Sequence, residues 1–227
     1  MFANEDYADV DEVVVTIGNR VGSINNHMFN YLNIKSLTIP SSVVTIDHDA
    51  FHRCEKLSSL TFESGTTPIS IGYHRGTDDV GPFYYSPLTY LSVDREFKLN
   101  ADYADQLDDR DMGIFSSGFY DSDLNVEVHI GSNVKTLSKW MFHGVRMTGV
   151  WIPESVTSIG DNAFLDCRTL SYVTMGHHTP PAMGANVFES CDVFNYIVVR
   201  KTALEQFKAA TDWDNYEKWL YTRDDFE

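Results

Sequence analysis

The hydrophobic positions of this chain fall on a ruler that recurs along its length. Counted from an isoleucine that ends a short alternating stretch, apolar side chains return four, seven and twelve residues later. Ile17 is followed in this way by Val21, Ile24 and Phe29, and Ile39 by Val43, Ile46 and Phe51. Ile130 with Val134, Leu137 and Phe142, and Ile152 with Val156, Ile159 and Phe164, obey the same spacing. Phe29 to Phe51 and Phe142 to Phe164 are each 22 residues apart, and Phe188 follows Phe164 by 24. The steps to Phe83, Phe115 and Phe142 are longer, at 32, 32 and 27 residues, which marks the same unit carrying insertions.

A unit that repeats its apolar positions cannot bury them alone, so neighbouring units must stack. Within a unit, the alternation of Leu37, Thr38 and Ile39 predicts a short strand with every second side chain inward. Pro40 stops it, having no N–H for a ladder. A second extended piece runs through Val43 and Ile46, and a helical turn is expected at Ala50 and Phe51.

The predicted architecture is an α/β solenoid, mostly β, of about seven to eight rungs over residues 13–200. Loop insertions are expected at 72–81 and 100–113, an acidic segment precedes at 1–12, and a C-terminal cap closes the stack over 201–227. In the cap a last strand leads to an amphipathic helix over residues 202–210, with Leu204 and Phe207 three apart. Residues 1–12 are too slight to cover the first rung. This predicts either further chain before it or self-association of two copies through the N-terminal end.

The apolar content of 43% sustains a continuous core. A net charge of −16 opposes phosphate backbones and anionic membrane surfaces, so nucleic acid is not an expected partner. The sequence has no run of eighteen apolar residues and no signal-like start, which predicts no membrane insertion and leaves either an intracellular protein or a trimmed mature piece.

Cys54, Cys167 and Cys191 each follow a repeat phenylalanine by three residues, a column that holds Leu32 and Val145 in other units. They read as buried free thiols, with a metal site or disulfide as the alternatives. Asp102, Asp105, Asp108, Asp109 and Asp111 crowd one insertion, but they miss the calcium-loop spacing and read as a solvated acidic loop. DSDLN, residues 121–125, starts that spacing and fails at the same places. His177 and His178 lie beside two prolines and read as a surface turn, because adjacent histidines point apart and no third ligand is spaced to join them. His27, His48, His52, His74, His129 and His143 are scattered through turns and read as plain surface residues. With no nucleophile motif, phosphate loop or paired metal motif, the chain is expected to be no enzyme, with no catalytic residue, cofactor or metal.

Strand alternation defines two outward columns. One runs Thr38, Thr61, Ser92, His129, Trp151, Thr174, Val198, and its neighbour runs Ser36, Ser59, Tyr90, Glu127, Gly149, Tyr172, Tyr196. Tyr90, His129, Trp151, Tyr172 and Tyr196 are therefore expected to form one exposed aromatic and polar patch beside a dent at Gly149. Such a patch suits stacking on a sugar ring or anchoring a protein partner. The alternative is that these residues merely favour strands and sit beneath an inserted loop.

Residues 152–170 read IPESVTSIGDNAFLDCRTL and residues 39–57 read IPSSVVTIDHDAFHRCEKL. Both resemble the IPxSVTxIGxxAFxxCxxL consensus of the BspA-like leucine-rich repeats. The ending is similar to that family's closing motif at Ala203, Phe207, Lys208, Ala210, Trp213 and Tyr216, with Arg200 where proline is usual. The resemblance implies a right-handed leucine-rich repeat stack without activity of its own, acting as a cell-surface or extracellular adhesion module for a protein or glycan. A structural spacer or self-associating stalk segment is the alternative expectation.

Overall fold

The computed structural model describes residues 12–72, 81–99, 113–116 and 124–226. The first eleven residues, nearly all of both insertions with their aspartates, His74 and most of DSDLN lie outside them. The chain is a parallel β-solenoid of about seven turns. One wall carries the four-residue strands β2 (Ser36–Ile39), β4 (Ser59–Phe62), β6 (Tyr90–Val93), β8 (Glu127–Ile130), β10 (Gly149–Ile152), β12 (Tyr172–Met175) and β14 (Tyr196–Val199). A second wall carries the shorter β1 (Ser23–Ile24), β3 (Thr45–Ile46), β5 (Ile69–Ile71), β7 (Phe97–Leu99), β9 (Thr136–Leu137), β11 (Ser158–Ile159) and β13 (Ala182–Met183). Pairing is parallel throughout, with Leu37 opposite Leu60 and Leu60 opposite Leu91, so that the inward side chains stay in register.

Between the walls runs the phenylalanine spine. Phe29, Phe51, Phe83, Phe115, Phe142, Phe164 and Phe188 stack in unbroken order, with successive ring centres 5.2–5.9 Å apart. The expected turn around each ring is held by i to i+3 bonds, as from His52 N–H to Asp49 O and from Cys54 N–H to Phe51 O. Two residues of that turn adopt left-handed backbone, one two places before the phenylalanine and one two places after: Asp49 and Arg53 around Phe51, Asn162 and Asp166 around Phe164. That conformation reverses the chain within a few residues and keeps the turn from growing into a helix.

The cysteine column is buried or half-buried and its thiols are free. Each Sγ donates to the carbonyl of the spine phenylalanine one rung back: Cys54 to Phe29 at 3.1 Å, Cys167 to Phe142 at 3.0 Å and Cys191 to Phe164 at 3.1 Å. Burial pushes the Cys54 thiol up to about 12, and Cys167 rises for the same reason.

Three polar residues are more deeply placed than their sequence context predicts. His177 is only 2% exposed, and its Nε2 donates to the Val156 carbonyl at 2.6 Å, so it is an interior link between rungs while His178 faces solvent. His143 is buried against Trp140, with ring centres 5.0 Å apart. Arg95 is fully buried, and its guanidinium donates to Ser41 O at 3.1 Å and Thr67 O at 2.6 Å. None carries a signature in the repeat: His177 and Arg95 satisfy backbone carbonyls, and His143 packs on an indole, and the phasing of the apolar positions specifies neither.

At the C-terminal end, α1 (Leu204–Ala209) and the following 3-10 segment Thr211–Trp219 cover the last rung. Phe207 and Trp213 pack ring to ring at 4.7 Å, and the Trp213 indole donates to Pro181 O at 2.9 Å. The chain then adds β15 (Leu220–Thr222) beside β14, so the cap extends the sheet as well as covering it.

Candidate functional site

The two outward columns form as the alternation predicts. Ser92 pairs with His129, Trp151 with Thr174, Tyr90 with Glu127, and Gly149 with Tyr172 and then Tyr196. Trp151 is 53% exposed, Tyr172 43% and Tyr196 36%, so all three point outward.

The wall is nevertheless two sheets, β2-β4-β6-β8 and β10-β12-β14-β15. Among the described residues β8 and β10 stand side by side without joining one ladder. Bonds that tie other rungs together are missing at both ends of β10. After β4, β8 and β12 the next residue donates to the preceding rung: Glu63 N–H to Ile39 O, Gly131 to Val93 and Gly176 to Ile152. After β10 that residue is Pro153, which has no N–H to give. At the other end Thr148 N–H should reach back as Ser58, Thr89 and Ser171 do. Instead Asn125 Oδ1 accepts it at 2.8 Å and accepts the Thr148 hydroxyl at 2.9 Å.

The interruption opens a cleft of about 620 Å³ between β8 and β10. Asn125, Glu127 and His129 line one side and Thr148, Trp151 and Tyr172 the other. Glu127 and His129 hold each other at 2.8 Å across one face of β8, and Tyr90 tilts against the His129 ring at 5.1 Å. The ring of Tyr172 covers Gly149, whose Cβ position would lie 2.3 Å from Tyr172 Cζ. The dent expected at Gly149 is therefore occupied by that ring. Tyr196 stands apart in a cluster with Tyr221 and Phe226, at 5.3 and 5.1 Å. The structure thus gathers Glu127, His129, Trp151 and Tyr172 around one cleft, keeps Tyr90 as a buttress and assigns Tyr196 to the C-terminal cluster.

The other proline-ended strand, β2 before Pro40, also begins its sheet. A second groove of about 400 Å³ lies there, but Ser36, Thr38, Ser59 and Thr61 line it in place of aromatic rings. What sequence reasoning missed was Asn125 and Thr148, which hold the larger cleft open. The signal available for them was the proline itself, read as a lateral break as well as a strand end.

No helix among the described residues is long and apolar enough to cross a membrane. A search of curated proteins finds no significant match. Solved structures similar to this chain include a leucine-rich repeat protein from Bacteroides ovatus, 18% identical over 81% of this chain, with a TM-score of 0.48. A leucine rich cell surface protein from Faecalibacterium prausnitzii is 18% identical over 85% of this chain, with a TM-score of 0.35. The pneumococcal vaccine antigen PcpA is 14% identical over 81%, with a TM-score of 0.34. The chain spans 42%, 55% and 62% of the lengths of these three structures. The family profile of the BspA type leucine rich repeat region matches in six copies over residues 10–80 and 112–210, and the chain belongs to that family.

Proposed function

We propose that this chain is a non-catalytic recognition module of a cell-surface protein and that it binds a glycan in the cleft between β8 and β10. The observation that carries this reading is the composition of the cleft. Two exposed rings, Trp151 and Tyr172, stand beside Asn125, Glu127, His129 and Thr148. A sugar presents an apolar C–H face and a rim of hydroxyls, and this surface offers a flat aromatic partner for the first and paired donors and acceptors for the second. A protein ligand anchored on the same rings is the other outcome that the test separates. The surface location is favoured by the family and by the name of the Faecalibacterium relative.

The test is a glycan array followed by titration of the best binder, with a parallel pull-down of surface proteins. Trp151→Ala is expected to abolish glycan binding and leave the melting temperature nearly unchanged, since the ring is half exposed. Lost stability with binding intact would assign Trp151 to packing and overturn the reading.

A second reading is a self-associating stalk segment, favoured by the first described rung. There Val14 is 86% exposed beside an apolar cavity of about 730 Å³ lined by Val13, Val15, Ile17 and Phe29. A clean monomer by sedimentation at high concentration would eliminate it.

A further inference from the structure

We infer that His27, His48 and Asp49 form a binding site for a divalent transition-metal ion of the zinc class, on the second wall of the solenoid and away from the aromatic cleft. β1 and β3 pair with Ile24 opposite Ile46, so the turns that follow them are stacked. His27 and Asp49 lie three residues beyond those paired isoleucines and hold the same left-handed backbone, φ 55° and 52°. His48 stands beside Asp49 and turns its ring edge-on to His27, with ring centres 6.1 Å apart. One ligand atom from each of the three residues falls within 4.8 Å of the other two. Two imidazoles and one carboxylate converging in this way are the donor set of zinc and related ions, whose bonds of about 2.0–2.2 Å small side-chain rotations would complete.

The surroundings prepare these groups as ligands. Asp47 Oδ1 lies 3.0 Å from His48 Nδ1 and accepts its proton, which leaves Nε2 as the lone pair on that ring. A carboxylate behind a histidine is the usual support of a metal-binding imidazole. Asn30 Nδ2 lies 3.4 Å from His27 Nδ1 and donates to it, so ligation through His27 Nε2 requires the amide to turn and present Oδ1, which is buried without a hydrogen-bond partner. Asp49 is enclosed by three imidazoles. Its Oδ1 is 3.3 Å from His52 Nδ1, yet the two are out of hydrogen-bonding line, and both atoms are buried without such a partner. A buried carboxylate oxygen that faces an imidazole out of hydrogen-bonding line gains from a second positive partner. A divalent ion on His27, His48 and Asp49 supplies that charge.

The test is isothermal titration of the whole chain with Zn²⁺, repeated with Co²⁺ so that the ligands can be read from the visible spectrum. The expected result is one ion per chain, with cobalt d–d bands and no thiolate charge-transfer band. His27→Asn and Asp49→Asn keep a residue that tolerates left-handed backbone, and with His48→Gln each is expected to weaken binding by about a hundredfold. His178→Ala, on an exposed turn, is expected to change nothing. Circular dichroism confirms that each variant folds. Failure of the wild-type chain to bind either ion would overturn the site, as would unchanged affinity in folded variants or a thiolate band pointing to the cysteines.

Discussion

The ring of Tyr172 lies across the bare backbone of Gly149, so close that a Cβ on Gly149 would stand 2.3 Å from Tyr172 Cζ. The two residues are partners across the β10 and β12 ladder, where side chains on one face touch. Gly149→Ala must therefore move the tyrosine, whose ring is free to swing because its outer face meets solvent. The variant is expected to bind the glycan about tenfold more weakly, the worth of one displaced stacking ring. Its urea midpoint should match wild type within error, and binding and unfolding measured together would expose a global effect.

Pro153 has no N–H and Asn125 diverts that of Thr148 at the two ends of β10, and replacing both is expected to close the cleft. Pro153→Thr restores an N–H at the position from which Gly131 and Gly176 donate in other rungs. Asn125→Ala releases Thr148 N–H from the side chain that intercepts it. The double variant should gain stability of roughly 1 kcal/mol from the new backbone bonds. Amides of β10 should exchange more slowly and glycan affinity should fall. Faster exchange in β10 would show that proline and asparagine stabilise this region instead of interrupting it.

The repeat was legible because burial repeats. The spine from Phe29 to Phe188, the outward columns through Trp151 and Tyr172, and the cysteine column each follow from counting along the chain. The cleft was half legible: alternation placed its rings on the surface, while its depth depends on a hydrogen bond that Pro153 lacks and Asn125 diverts. The histidine positions were opaque for a related reason. His177 is interior and His178 exposed because one carbonyl, Val156 O, accepts from the first. His27 meets His48 and Asp49 only through the register of β1 on β3. Contacts between rungs depend on lateral geometry, which a one-dimensional spacing does not encode.

Arg95 bridges the turns after β2 and β4 from beneath, donating to Ser41 O and Thr67 O. Gly65 makes room for it, since a Cβ there would stand 3.1 Å from the guanidinium carbon. Arg95→Met leaves those carbonyls without a donor and is expected to destabilise the fold by about 1–3 kcal/mol. Arg95→Lys should cost about as much, because an ammonium cannot span the two acceptors that a planar fork reaches at once. Urea unfolding of both variants measures this, and a lysine variant as stable as wild type would show that charge alone suffices.

His177 makes the fold sensitive to acid. Burial is the leading cause that lowers its pKa below 6.5, and Arg200 acts in the same direction, while the bond to Val156 O and the nearby Glu154 oppose them. The folded chain thus holds His177 neutral where the unfolded chain takes up a proton. Its contribution to stability is present above pH 6.5 and is lost as the pH falls below that value. The expected outcome is a urea midpoint that declines from pH 6.5 downward in wild type and declines less in His177→Gln, which keeps a donor for Val156 O and has no proton to gain. Identical pH slopes in the two proteins would mean that His177 does not change its proton count on unfolding, and the acid sensitivity would then belong to other groups.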